Sequence, residues 1–279
     1  MEVWLKQARK EFHAACLAGP ISITKAVPSI ADVSNKASRE ISSALVSKIG
    51  VTQQKAEKPA GQTAGHMFES VCQEFLQDSF AKLAHLRPGG FTVERAKAIS
   101  LFDQYAHLDE LRLLADASRE LKTHLGTDYL IKPDVVVIRE PETDDNINVN
   151  APLVDETVAR QTSLRQANGA YATLHASVSC KLTIRSDRVQ NTRSEALNLV
   201  RNRKGRLPHI AAITAEPVPS RIAAIALGTG DIDCVYHFAL IELVEVLKEQ
   251  ERETLELVET MIEGKRLRDI SDLPLDLVI

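Results

Sequence analysis

Short apolar runs separated by helix-length amphipathic stretches fill the second half of the chain, and that alternation leaves few architectures open. Val135-Val136-Val137-Ile138 and the stretches 172–184, 209–215 and 232–236 are rich in β-branched and apolar residues and read as strands. Between and after them, 187–204, a short segment near 219–227, and 238 to about 262 carry helical periodicity. Strands interleaved with helices predict an α/β sheet covered on both faces.

The first half supplies more helix than strand. Residues 2–18 form an amphipathic pattern ended by Gly19-Pro20, and a second helix fits 37–49. The polar stretch 51–60 reads as a loop, and Gly61 opens a helix carrying Phe68, Val71, Cys72, Phe75, Leu76 and Phe80 at helical spacing. Arg87-Pro88-Gly89-Gly90 is a turn, and a helix over 103–124 places Leu108, Leu111, Leu114 and Leu121 inward. Strand character starts at Tyr129-Leu130-Ile131 and runs to Ile138, before a polar loop at 140–151. With 279 residues, 44% of them apolar, and no linker-like stretch or repeat, the chain is expected to be one domain, 1–279.

Several classes drop out. No apolar run approaches the roughly 18 residues of a membrane span, and Met1-Glu2-Val3-Trp4-Leu5-Lys6 lacks the cationic and apolar order of a secretory signal. Cys16, Cys72, Cys180 and Cys234 are far apart with no CxxC, which argues against a zinc ribbon or disulfide scaffold and makes a reducing, cytoplasmic setting the default. Charge is more informative when divided. Residues 181–206 hold eight basic side chains against Asp187 and Glu195, a net of +6, which leaves −10 for the rest of a chain whose total is −4. A basic island in an acidic protein is the footprint of a polyanion-binding face, because phosphate contacts dominate nucleic-acid affinity. A solvated helix face accounts for the same charges.

Chemistry enters with Pro133-Asp134 on one strand and Ser179-Cys180-Lys181 at the end of the next. Metal-dependent phosphodiester cleavage needs a carboxylate for a hard cation, a cationic group at the attacking water and usually a second carboxylate. The PD-(D/E)xK nucleases build their site this way. Here the usually acidic position is Ser179, and the gap from Asp134 to Lys181 is long. Glu195, in the following helix, can swing a carboxylate into the place Ser179 leaves empty; its bland reading is a surface glutamate paired with an arginine. Just beyond Lys181 lies Arg185-Ser186-Asp187-Arg188. Arginine donates a bidentate fork to guanine and aspartate accepts from cytosine, so the cluster suits a G·C-rich major groove, where a bare tetrapeptide would be a helix-capping ion pair. Gly228-Thr229-Gly230 reads as a turn, His175 and His237 as structural histidines, Trp4 and Met67 as packing residues, and 242–263 as a solvated or subunit-contacting acidic face.

SCKLTIRSDRVQNTRSEALNLVRNRKGRLPHI, over 179–210, resembles the core of the NgoMIV-type restriction endonucleases, cutters of CCGG-centred sites. PAGQTAGHMFESVCQEF, KPDVVV, ITAEPVPSRIAAIALGTGDIDCVYHFAL and GKRLRDISDLPLDLV are similar too, and the likeness is vaguest at 1–30 and 86–102. The resemblance implies a central mixed β-sheet flanked by helices, the restriction-endonuclease-like fold, and a type II endonuclease hydrolysing double-stranded DNA at GCCGGC. The cut implied falls after the first G and leaves 5′-phosphates. It also implies Mg²⁺, two ions per site, held by Asp134 and the main-chain carbonyl of Cys180, with Lys181 as the catalytic lysine and Glu195 as the displaced acid. Glu69 matches a further active-site glutamate. Arg185, Asp187 and Arg188 match the CCGG-reading residues, Gln62 a minor-groove contact, and Asp32 with Arg221 the pair reading the outer G·C. The family acts as a homotetramer of two back-to-back dimers, with no nucleotide cofactor and no membrane partner. A catalytically weak, sequence-specific DNA-binding protein, a nuclease for another CCGG-core site, and a repair nuclease without base specificity are the alternatives; Asp134, Lys181 and Glu195 together argue against the first, and the RSDR cluster against the last. Apolar positions along 238–262, among them Leu240, Leu243, Val246, Leu247, Leu255 and Leu257, offer surface for subunit contacts unless the core absorbs them.

Overall fold

The computed structural model describes residues 3–50, 61–126, 129–169, 171–228 and 230–279, and for Ser186, Asp187 and Arg188 the backbone alone. Helix α1 (Trp4–Ala18) leads through a small hairpin, β1 (Ile23–Thr24) and β2 (Val27–Pro28), to α2 (Lys36–Ile49). Asn35 caps α2 by accepting from Ser38 N, and Gly50 closes it at φ 69°, the left-handed conformation that glycine adopts at no steric cost. The long α3 (Gly61–Lys82) precedes β3 (Phe91–Arg95), α4 (His107–Ala117), α5 (Arg119–Leu125), β4 (Val135–Arg139) and the short α6 (Asp144–Ile147). Then come β5 (Thr173–Lys181), α7 (Ser186–Asn202), β6 (His209–Thr214), α8 (Pro219–Ala226), β7 (Cys234–His237), α9 (Leu240–Glu249), α10 (Leu255–Glu263), β8 (Leu267–Asp269) and α11 (Leu273–Asp276).

Six strands form one mixed sheet in the order β3-β4-β5-β6-β7-β8, antiparallel across β3, β4 and β5 and parallel from β5 to β8. Val135, Val136 and Val137 are fully buried, as strands covered on both faces require. Helix α3 packs against β3, β4 and β5 with α1 over it, while α8 packs on β7, α9 on β8, and α10 beside α8. One continuous set of buried side chains runs from Ala8 to Leu277. The expected central mixed sheet flanked by helices is the observed one.

Some local expectations change. The helix expected over 103–124 is broken: a 3-10 turn at Asp103–Tyr105, then α4 and α5 divided at Ser118, whose extended backbone lets its hydroxyl accept from Leu121 N. Only the first part faces the core, so Leu108 is buried while Leu114 and Leu121 are exposed. Tyr129-Leu130-Ile131 precede the strand, because the ladder to β3 and β5 begins at Val135. The helix expected from 238 to 262 is two helices. Glu251 takes φ 50° and Arg252 N bonds Leu247 O, turning the chain between α9 and α10. The core absorbs Leu240, Leu243, Val246 and Leu247, while Leu255 and Leu257 are partly buried against it. The polar segment at 140–151 contains α6, and strands β3 and β8 had no counterpart in the sequence reading. His175 and His237 are structural: each is buried, with Nε2 against the carbonyl of Leu277 and of Glu216 respectively. Trp4 is partly exposed at the start of α1. The polar stretch 51–60 and Thr229 lie outside the described residues.

Candidate active site

Strand register brings the two halves of the sequence motif together. Val135 pairs with Val178, so Asp134, one residue before β4, lies beside Ser179 and Cys180 near the end of β5. Three donors converge on one oxygen of Asp134: the Cys180 N–H at 2.7 Å, the Lys181 ammonium at 2.8 Å and, more loosely, the Ser179 hydroxyl at 3.5 Å, all at Oδ2. None of these three bonds is to Oδ1. Period-two alternation puts Ser179 and Lys181 on one face of β5 and turns the Cys180 side chain into the core.

A cavity of about 350 Å³ opens over this strand end. Its lining includes Lys181, Glu195, Glu69, Gln62, Arg185 and Asn191, so candidates from α3, β5 and α7 meet in one space. Glu195 stands on α7 and lines the cavity together with Lys181, close enough for their charges to interact. Ser179 occupies the usual acid position with a hydroxyl and makes only the long contact to Asp134. Glu69 lies on α3 and is paired with His66 at 3.1 Å, and the His66 carbonyl accepts from Arg95. Sequence reasoning passed over His66, although it sits one helical turn before Glu69 in the same motif.

The charges in the cavity tune one another. Burial works against the Lys181 ammonium, but the Asp134 carboxylate, reinforced by Glu195, outweighs it and holds the lysine above its usual range. Burial pushes the Glu195 carboxyl up; Lys181 pulls it down and the Asp134 charge adds to the rise, with a net shift upward. Lysine therefore stays a cation, while Glu195 takes a proton more readily than an exposed glutamate.

The candidate DNA-reading residues fall into two groups. Arg185 is exposed, lines the cavity and occupies the N-cap position of α7, where its side chain makes no capping bond. The side chains of Ser186, Asp187 and Arg188 lie outside the described residues, but their backbone forms the first turn of α7. In the second group, Asp32 and Arg221 form an ion pair. The Ser34 hydroxyl, at 2.6 Å, and then Arg221 hold the Asp32 carboxyl down at about 2, so it is fully ionised. The basic island is spread along α7 and beyond it. Arg193 donates to Leu227 O just past the end of α8, Arg203 folds back on Val200 O, and a rise of 1.5 Å per residue puts Arg201 roughly 22 Å along the axis from Ser186.

Among the described residues no three His, Cys, Asp or Glu side chains form a ready-made metal cage. The donor set nevertheless fits a hard divalent cation. Magnesium-type ions use one or two carboxylates with water and substrate phosphate in preference to an all-protein cage. The Asp134 carboxylate, Glu195 in the cavity lining and the Cys180 carbonyl are oxygen donors of that kind.

The family model described as NgoMIV restriction enzyme matches residues 12–279. The type II restriction enzyme NgoMIV of Neisseria gonorrhoeae is 51% identical over 281 residues, covering 98% of each chain. Among solved structures, the restriction endonuclease PspGI in complex with substrate DNA matches 78% of this chain at 16% identity and a TM-score of 0.37; this chain spans 61% of that one. Bse634I restriction endonuclease matches 75% of this chain and 82% of its own at 16% identity and a TM-score of 0.35.

Proposed function

The chain belongs to the NgoMIV restriction-enzyme family and is a type II restriction endonuclease, a site-specific DNA nuclease; on that premise we propose that it cuts double-stranded DNA at GCCGGC with Mg²⁺. The observation that carries the catalytic part of this reading is the convergence of Lys181 and the Cys180 N–H on Asp134 Oδ2, beside a cavity that also holds Glu195. Catalytic roles go to Asp134, Lys181 and Glu195, with Glu69 and Ser179 beside them. Metal would be held by Asp134 and the Cys180 carbonyl, two ions per site. When bound, a hard divalent cation neutralises charge on the scissile phosphate and on the departing oxygen.

The protein's own groups supply the rest. Lys181, kept protonated by Asp134, orients a water toward phosphorus and offsets the negative charge that builds there. Glu195, a raised carboxyl lining the same cavity, takes the proton that water loses. The water oxygen bonds phosphorus, the P–O3′ bond breaks, and the 3′ oxygen takes a proton from solvent. The products are a 5′-phosphate and a 3′-hydroxyl, with the cut after the first G.

Recognition is assigned to Arg185, Ser186, Asp187 and Arg188 over CCGG, Gln62 in the minor groove, and Asp32 with Arg221 at the outer pair. Arg185 is exposed and lines the cavity, which supports this by leaving its guanidinium able to reach a base edge. We take residues 1–279 as one domain, which the continuous core supports. A palindromic site calls for two-fold related copies, and the reading extends to a homotetramer that engages two sites at once. A cytoplasmic setting accords with four unpaired cysteines; no described helix is long and apolar enough to cross a membrane. Digestion of a sequenced plasmid with Mg²⁺, followed by end sequencing, tests the site and cut. Faster cutting of a two-site plasmid than of a one-site plasmid is expected of the tetramer, and equal rates with a dimer in sedimentation would remove it.

A further inference from the structure

Glu216 is 0% exposed, yet it places a carboxylate two residues beyond the end of β6. A buried charge is stable only when its oxygens are matched, and these are matched in an informative way. Oε2 accepts from the backbone N–H of Ile184 at 2.8 Å, the residue that immediately precedes Arg185. Oε1 accepts from the N–H of Val218 at 3.1 Å, the N-cap of α8, and lies 3.8 Å from Nη1 of Arg221 in the first turn of that helix. The same guanidinium pairs through Nη2 with Asp32. The Glu216 main chain is itself anchored, its N–H on the Thr214 hydroxyl and its carbonyl on His237.

One carboxylate thus ties the peptide that launches the Arg185 turn to the helix that carries Arg221. We infer that Glu216 is a positioning residue for recognition: it fixes the register of the inner-base and outer-base readers relative to each other and so sets selectivity for the outer base pair. This rests on the reading of Arg185 and of the Asp32–Arg221 pair as base-reading groups. Packing alone would not call for a charge here. The anchoring needs two acceptors pointing in different directions, and a carboxylate provides them on one side chain. Arg193 supports the same unit at its other end, donating from α7 to Leu227 O beyond α8.

The substitution Glu216→Gln keeps size and shape but leaves one acceptor oxygen where two N–H groups need one each, and removes the charge facing Arg221. The readout is the ratio of single-turnover kcat/KM on GCCGGC to that on duplexes with the outer pair exchanged, alongside thermal unfolding. The ratio should fall by about tenfold, the size of effect that an unmatched buried donor produces, with KM and not kcat carrying most of the change on GCCGGC. Glu216→Asp, which keeps the charge but loses reach, should give a ratio between those of wild type and Glu216→Gln. If Glu216→Gln does not fold, Glu216→Asp decides by the same ratio. An unchanged ratio in a folded variant, with activity lowered equally on every duplex, would make Glu216 a purely structural residue and overturn the inference. Wild-type enzyme without preference for the outer pair would instead refute the recognition reading, and Arg221→Ala, run in parallel, reports on that reading independently of Glu216.

Discussion

Replacing Asp134 by Asn separates the catalytic from the structural work of this side chain. Asn retains a carbonyl oxygen, so the Cys180 N–H keeps its acceptor, while the charge that holds Lys181 disappears. The Asp134 and Lys181 side chains are 21% and 17% exposed, between a surface pair, worth at most about 1 kcal/mol, and a buried one, whose breakage costs about 3–5 kcal/mol. Destabilisation of about 2 kcal/mol follows, readable in urea unfolding. The effect on cleavage is much larger. Loss of a metal carboxylate removes several kcal/mol of transition-state stabilisation, and at about 1.4 kcal/mol per tenfold the single-turnover rate on a GCCGGC duplex should fall by at least about a thousandfold. Binding to that duplex in Ca²⁺ should survive, since the hydrogen bonds of Asp134 among the described residues go to Ser179, Cys180 and Lys181. A variant that cuts within about tenfold of wild type would remove Asp134 from the mechanism. One that loses cognate binding along with cleavage would mean the site and the reading face are not separable as described.

Glu195→Ala should match Asp134→Asn in lost cleavage, and Ser179→Ala should not; normal cutting by Glu195→Ala would move the second carboxylate role to Glu69. Arg185→Ala should weaken cognate binding by roughly 1–3 kcal/mol and change binding to scrambled DNA far less, measured by fluorescence anisotropy; equal losses on both would make it a phosphate contact. Stability should depend on pH through His175 and His237, both brought down to about 4, chiefly by burial, which outweighs the contacts to Leu277 O and Glu216 O that favour their charged forms. Because the folded values lie below the unfolded one, the stabilisation is fully present above about pH 6.5 and is lost as pH falls toward 4, at up to about 1.4 kcal/mol per pH unit for each histidine. Urea unfolding between about pH 7 and pH 4.5 checks this, and a flat profile would refute it.

Much of this site was legible because its chemistry is concentrated at strand ends. Pro133-Asp134 and Ser179-Cys180-Lys181 each stand at the edge of a short apolar run, and antiparallel register does the rest. Glu195 was legible as a neighbour of Lys181 because α7 follows β5 directly. Less visible was whatever depended on tertiary context. The strand β3, Phe91–Arg95, mixes apolar and charged residues at the sheet edge, and β8 is only Leu267–Asp269, so neither has a distinct period. Leucines at helical spacing continue past Ser118 and past Gln250, and spacing does not register the backbone turns there. Glu216 carries a sequence signal of its own. It is a lone carboxylate between the apolar strand His209–Thr214 and Pro217, where a charge requires buried partners. Within the basic island, charge alone did not show that Arg193 and Arg203 donate to backbone carbonyls near helix ends.

The central claim is that the Asp134–Lys181–Glu195 site cuts DNA where Arg185 and the Asp32–Arg221 pair read it. Cleavage with Mg²⁺ of a duplex library holding CCGG fixed and every flanking base randomised, sequenced at the new ends, tests this directly. The account predicts that cut molecules carry G before and C after CCGG, with 5′-phosphates after the first G, and that the Asp134→Asn enzyme yields none of them. Cuts spread over the flanking bases, or the same cuts from the Asp134→Asn enzyme, would contradict it.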